Sequence, residues 1–93
     1  MNVAFLNVGF DNMVAVNKIV AIISPDGASV KRLVQYAKEN HSLIDVTSGR
    51  KTRSVVVTSE EYVFLSAIQA DTLVSRLNEF WWTKEMKNHA YSW

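Results

Sequence analysis

Three cations crowd into four positions of the segment "SGRKTR", residues 48–53. Arg50, Lys51 and Arg53 follow Gly49, which permits a tight turn, and they precede a run of valines. Guanidinium and ammonium groups on such a turn supply donors that phosphate oxygens accept. The spacing therefore predicts a basic turn, residues 48–53, that binds phosphates. The alternative is a solvated hairpin tip whose charge serves only solubility.

Three further cations are candidates for the same positive surface. Lys31 and Arg32 fall on the polar face of a predicted helix, and Lys18 interrupts a predicted strand. The formal net charge is only +1, but residues 1–58 carry seven cations and four acids, while residues 59–93 carry three cations and five acids. We therefore expect any site for an anionic partner to be local and to lie in the first two thirds of the chain.

The residue types that catalysis requires are sparse. His41 and His89 are the only histidines, and neither belongs to a metal-ligand spacing or has a cysteine nucleophile available. Glu60 and Glu61 are adjacent and should point apart if extended, which indicates a solvated turn. We expect no catalytic residue, metal or cofactor, and no small-molecule substrate. The sequence thus predicts a binding protein and not an enzyme.

Length and composition limit the architecture. A chain of 93 residues with no cysteine forms one small domain without disulfides, a composition that fits a reducing cytoplasm. Hydrophobic residues make up 48% of it, and self-association is the remaining way to stabilise so small a core. The longest apolar run, residues 19–23, is far shorter than the ~20 residues of a membrane span.

Periodicity places the candidate residues on a mixed set of elements. Residues 3–8 and 13–23 read as strands that are apolar at odd and even positions, which predicts cover on both faces or a subunit interface on one. Residues 28–40 have the spacing of an amphipathic helix. "SLIDVT", "SVVVTS" and "YVFLSAI" read as an antiparallel meander, and residues 70–82 as a second helix.

The predicted fold is therefore α+β, in the order β-β-α-β-β-β-α, with a small, largely antiparallel sheet. Asp45, in the first strand of the meander, is expected to pair with Arg53 across the basic turn. Residues 83–93 show no period and are expected to form a flexible tail after a single domain of residues 1–82.

Four aromatic residues bear on a second hypothesis. Exposed aromatic rings on the sheet face would favour an RNA-binding module, because bases stack on them. Their apolar neighbours instead favour core positions. The candidates are Phe10, Tyr36, Tyr62 and Phe64.

Several short motifs are spread along most of the chain. They are "NVGF", "AVNKIVAI", "SP" followed by "VKRLV", "LSAIQ" and, most specifically, "LIDVTSGRKTRSVVV". With these motifs the chain resembles the RemA family of small bacterial regulators of extracellular-matrix genes. The resemblance covers about residues 3–77 without an obvious gap.

This resemblance implies a DNA-binding transcriptional regulator with a fold similar to LytTR domains, assembled into ring-shaped homo-oligomers around whose rim double-stranded DNA tracks. The basic pair that the family proposes for phosphate contact maps onto Arg50 and Lys51, and the basic residue after "AVN" maps onto Lys18. The family commonly has arginine where this chain has Lys51 and Lys18. Lysine keeps the charge but lacks the bidentate fork of arginine, so less geometrically specific contacts are expected. The aromatic segment "FWWTKEMKNHAYSW" has no counterpart in the family pattern. A third hypothesis is a structural ring that scaffolds another protein without binding nucleic acid.

Overall fold

The computed structural model describes residues 4–81, which form two helices and six strands. The tail predicted for residues 83–93 lies outside the described residues. In chain order the elements are β1 (Phe5–Asn7), β2 (Met13–Ala15), a 3₁₀ turn (Val16–Lys18), β3 (Ile19–Ile23), α1 (Ala28–Glu39), β4 (Leu43–Asp45), β5 (Ser54–Thr58), β6 (Val63–Ser66) and α2 (Ala70–Trp81). The α+β class with two helices is as predicted, and the order differs from the predicted one only because the second predicted strand is divided into β2 and β3.

The strands form a two-stranded hairpin, β1–β2, and a four-stranded sheet in the order β3-β5-β6-β4. β5 pairs antiparallel with β3 and with β6, whereas β4 pairs parallel with β6. The predicted antiparallel meander of the last three strands is therefore wrong at its first step. Residues 46–53, here the β4–β5 connection, are long enough to pass over the end of β6, and they carry the chain to the far side of that strand.

This topology gives the sheet two distinct ends. β3, β6 and β4 run in one direction, so their carboxyl ends meet at the end where β5 begins. The basic turn lies at this end. The opposite end holds the 3₁₀ turn before β3 and the segment that joins β5 to β6.

Both faces of the sheet are covered, because β5 contributes to two cores. Val56 packs with the hairpin and with Leu73 of α2 on one face. Val55 packs with Ala37 of α1 on the other face. The four side chains that anchor these contacts are at most 2% exposed. The predicted cover on both faces is confirmed for β3, since Ile22 and Ile23 join opposite cores, but not for the hairpin, where Phe5 and Met13 are exposed.

The second predicted strand, residues 13–23, is broken where Asn17 and Lys18 interrupt its apolar run. A 3₁₀ turn over Val16–Lys18 separates β2 from β3 and moves the chain from the hairpin to the main sheet. Pairing then slips between Ile19 and Ala21, which leaves Val20 66% exposed.

Most of the aromatic residues expected in the core are exposed. Phe64 is half-buried and packs against the core, but Phe10, Tyr36 and Tyr62 remain 49%, 66% and 48% exposed. Each of the three lies at a turn or on the outer surface of a helix, and the core is packed by other apolar residues near them in the sequence. They belong to separate elements and do not form one stacking platform on the sheet face.

Candidate nucleic-acid interface

Asp45, the last residue of β4, fixes the start of the β4–β5 connection. Its Oδ1 accepts hydrogen bonds from the Thr47 hydroxyl at 2.6 Å and from the Thr47 main-chain N–H at 2.9 Å. These two bonds, the hydroxyl first, lower the pKa of Asp45 below its ordinary 3.8. The expected Asp45–Arg53 ion pair is therefore wrong. β4 and β5 are not neighbours, and the carboxylate turns back onto its own chain.

The next step is a tight turn over Thr47–Arg50. The Arg50 main-chain N–H donates to the Thr47 carbonyl oxygen at 3.0 Å, and Ser48 and Gly49 have φ values of +53° and +80°. Positive φ at both central positions is the signature of a type I′ turn. Gly49 adopts this backbone without a steric penalty, as its place before the cations suggested.

Main-chain bonds to β6 hold both ends of the connection. The Val46 N–H donates to the Leu65 carbonyl oxygen at 3.0 Å, and the Arg53 N–H donates to the Ser66 carbonyl oxygen at 2.8 Å. The backbone of the basic turn is thereby fixed while the cationic side chains take no part in holding it.

All three cations of the basic turn are exposed. The Arg50 guanidinium carbon lies 5.5 Å from the centre of the Phe10 ring, within range of a cation–π contact. Lys51 and Arg53 line one cleft of about 250 Å³, into which Asp26 and Asp71 also face. The turn thus offers three positive groups, two of them with carboxylates close by.

The two helix cations differ in their relation to this turn. Lys31 lines a second cleft, of about 210 Å³, together with Thr52 of the basic turn. Arg32 is exposed, and its Nη2 is 3.5 Å from the Ser29 hydroxyl of its own helix, a marginal contact. The structure brings Lys31 to the turn and gives no contact that does so for Arg32.

Lys18 lies at the other end of the sheet. Its Nζ forms an ion pair with Glu60 Oε1 at 2.6 Å, and its carbonyl oxygen accepts from the Ser59 N–H at 2.8 Å. Because β5 spans five residues at roughly 3.3 Å each, about 16 Å of strand separates Lys18 from the basic turn. Within one chain, the structure does not bring these candidate residues together.

The roles of two residues in this region were not predicted from the sequence. Ser66 is fully buried; its hydroxyl donates to the Val8 carbonyl oxygen at 2.7 Å and accepts from the Ile68 N–H at 3.0 Å. It therefore ties the hairpin to the sheet beside the exit of the basic turn. The core position expected for Phe10 is wrong, because Phe10 directly follows Gly9 and precedes "DN", which is a turn signal, and its ring is half exposed.

Other kinds of site find no support in the described residues. Residues 4–81 contain no cluster of three or more metal-binding side chains. Across the same residues, neither helix is long and apolar enough to cross a bilayer.

Comparison with known proteins identifies the family. The pattern described as "Extracellular matrix regulatory protein A-like", of the RemA-like family, matches residues 5–77. A protein of Alkaliphilus metalliredigens (strain QYMF), named "Putative regulatory protein", is 46% identical over 90 residues, which is 97% of each chain.

Two similarly named relatives show the same level of similarity. That of Thermoanaerobacter sp. (strain X514) is 45% identical over 78 residues, 84% of this chain and 81% of its own. That of Halalkalibacterium halodurans (strain ATCC BAA-125) is 44% identical over 77 residues, 83% of this chain and 88% of its own. The match spans the hairpin, the whole sheet and the basic turn, and the names indicate a regulatory role. The chain belongs to the RemA-like family of regulatory proteins.

Proposed function

We propose that this protein is a DNA-binding transcriptional regulator that contacts phosphates through its basic turn and acts as a homo-oligomer. The observation that carries the proposal is the arrangement of Arg50, Lys51 and Arg53. Their side chains are exposed, and the hydrogen bonds that fix the segment that bears them come from main-chain groups, Asp45 and Thr47. The family description supports genes of the extracellular matrix, and hence of biofilms, as the target.

The turn suits phosphate contact better than base reading. Base edges in the major groove are read by a helix or a strand ribbon that fills the groove, whereas a short turn presents charges to its rim. Lys51 supplies a point charge, and Arg50 and Arg53 supply bidentate forks. Sequence preference would then come mainly from the shape and deformability of the DNA.

Assembly of several copies of the chain would compensate for the weak positive charge of a single copy. One chain has a net charge of +1 and places Lys18 about 16 Å from the basic turn. In a closed assembly, the turn of each copy meets the same DNA, and the second and later contacts are intramolecular. Lys18 then contributes as a separate contact along the DNA path. DNA binding in a bacterium also implies a cytoplasmic location.

The direct test is a fluorescence-anisotropy titration with duplex DNA, an RNA hairpin and single-stranded DNA, each at 50 and 200 mM salt. If the assembly engages six to ten phosphates, duplex affinity should fall by roughly 10³- to 10⁵-fold between these salt concentrations. Tighter binding of the RNA hairpin would favour the RNA-binding alternative, for which exposed Phe10, Tyr36 and Tyr62 are the specific observation. If none of the probes shows salt-sensitive binding, the hypothesis of a structural scaffold is the one that remains.

Variants locate the contact. Arg50→Ala combined with Lys51→Ala should abolish duplex binding, while far-UV circular dichroism and oligomer mass stay unchanged. Lys18→Ala should weaken binding less. Lys38→Ala is a charge-matched control for each single change, because it removes one exposed cation from the last turn of α1, outside every predicted contact. If the double variant binds duplex DNA with the affinity of the parent, the turn is only a solvated loop and does not contact DNA.

A further inference from the structure

The tip of the β1–β2 hairpin places an aromatic residue where turns rarely accept one. The Asn12 N–H donates to the Gly9 carbonyl oxygen at 2.9 Å, and the two residues between them, Phe10 and Asp11, have φ values of +52° and +64°. This is a second type I′ turn, whose central positions favour asparagine, aspartate and glycine. A bulky aromatic residue at positive φ is strained, and such strain persists chiefly where function requires it.

The strain is not compensated by full burial of the ring. Phe10 is 49% exposed, and the Arg50 guanidinium carbon lies over the ring at 5.5 Å from its centre. Phe10 therefore has an unfavourable backbone conformation and yet places its ring at the surface, beside the first cation of the basic turn.

Both partners of this contact stand on rigid supports. The Asn12 side-chain amide donates to the Gly9 carbonyl oxygen at 2.8 Å, and the Ser66 hydroxyl ties Val8, at the base of the tip, to the sheet. Arg50 closes the Thr47–Arg50 turn. Two tight turns from distant parts of the chain thus meet through one ring and one guanidinium.

We propose that Phe10 is a positioning residue for DNA binding, which holds the Arg50 guanidinium against its ring so that the in-plane N–H donors face the phosphates. A guanidinium stacked on an aromatic face keeps these donors free and loses less side-chain freedom when it binds. The inference rests on the proposed function and adds a specific role for a residue without charge.

The test compares three substitutions at position 10 by duplex-DNA affinity at 50 mM salt and by melting temperature. Phe10→Asn should leave the melting temperature equal or raise it, because asparagine accepts this turn conformation, while affinity falls roughly two- to fivefold. Phe10→Leu, which keeps an apolar side chain, should lose a similar factor. Phe10→Tyr should bind as the parent does. In an Arg50→Gln background, none of the three should change affinity further.

A second readout does not involve DNA. In the parent, ring-current shifts should move the proton NMR signals of the Arg50 side chain upfield, and Phe10→Leu should remove those shifts while Phe10→Tyr retains them. Leucine and tyrosine variants that bind equally well, or an affinity loss that persists with Arg50→Gln, would overturn the positioning role alone. A parent protein that fails to bind duplex DNA would overturn the proposed function, and this inference with it.

Discussion

Lys18 Nζ and Glu60 Oε1 lie 2.6 Å apart in an exposed ion pair at the end of the sheet opposite the basic turn. The contact lowers the pKa of Glu60, through a hydrogen bond first and charge attraction second. The cation that family resemblance assigns to DNA is therefore engaged by an acid of its own chain.

Removing that acid should strengthen DNA binding. Glu60→Gln frees Lys18 for phosphate, and we expect affinity to rise roughly two- to fivefold at low salt, with a smaller gain at high salt. Glu61→Gln is the matched control, since it changes the same charge one residue away. Anisotropy titrations of both variants, repeated with Lys18→Ala, provide the measurement. An equal gain from both would show a general charge effect and no role for the ion pair.

Asp45 should make the stability of the fold depend on acid pH. Its folded pKa lies below the ordinary 3.8, so its contribution is complete above that pH and is lost as the pH falls through the folded value. Asp45→Ala should lower the free energy of unfolding at pH 7 by about 1 kcal/mol, and the difference from the parent should shrink below pH 3.8. Urea unfolding at pH 7 and pH 3 measures this, with Asp45→Asn as an intermediate variant. A difference that stays constant with pH would contradict the role of the charge.

Gly49 should be required because its backbone has a positive φ, and not because a larger side chain would clash with neighbouring atoms. A Cβ built at this position meets nothing within 4 Å, but φ is +80°. Gly49→Ala should therefore cost about 1–2 kcal/mol, and Gly49→Asn clearly less, because asparagine tolerates the left-handed region. Thermal unfolding of the two variants decides the point. Equal stability of alanine and asparagine variants would mean that the turn adopts another form.

Ser66→Ala should destabilise the whole domain. The change leaves the buried Val8 carbonyl oxygen and Ile68 N–H without the hydroxyl that serves them both, at a cost of about 1–3 kcal/mol. In a domain of this size the melting temperature should drop by at least ~4 °C. Ser75→Ala, on the exposed surface of α2, is the control and should leave it almost unchanged. A drop shared by both variants would point to something other than the buried bonds.

Association should yield a mass several times that of the 10.5 kDa chain at micromolar concentration. Phe5 and Met13, 63% and 54% exposed, are diagonal neighbours on the outer face of the hairpin, and Val20 is exposed on β3. The neighbouring apolar side chains of Phe5 and Met13 favour a protein partner. Light scattering coupled to gel filtration gives the mass of the parent and of a Phe5→Ser, Met13→Ser variant, which should be smaller. A monomeric parent would remove the basis for multivalent DNA binding.

The sequence predicted the elements better than their pairing. Helical periodicity placed α1 to within one residue of its end, and Asn17–Lys18 marked the break before β3. Nothing local distinguished a hairpin from the crossover at residues 46–53, because a glycine-containing polar segment suits either. The order β3-β5-β6-β4 depends on packing of both sheet faces, which no single segment encodes.

For the candidate site as well, the residues could be predicted from the sequence but their contacts could not. Charge density alone selected Arg50, Lys51 and Arg53 as candidates, and Lys18 became a candidate through its charge and again through family resemblance. The partners that hold them were not predictable, because Phe10 meets Arg50, and Ser66 meets Val8, only through contacts between residues far apart in sequence.

The hydrogen bonds that fix residues 46–53 involve main-chain groups, Asp45 and Thr47, and none uses a cationic side chain. In this segment, the residues that determine the backbone conformation are therefore different from the side chains that carry the positive charge. We expect a copy carrying glutamine at positions 50, 51 and 53 to keep this backbone, because these hydrogen bonds remain, while its formal net charge changes from +1 to −2. If the protein binds DNA as the proposed oligomer, such copies in a mixed assembly would weaken DNA binding in discrete steps, one subunit at a time, and a single altered gene would act dominantly over an intact one.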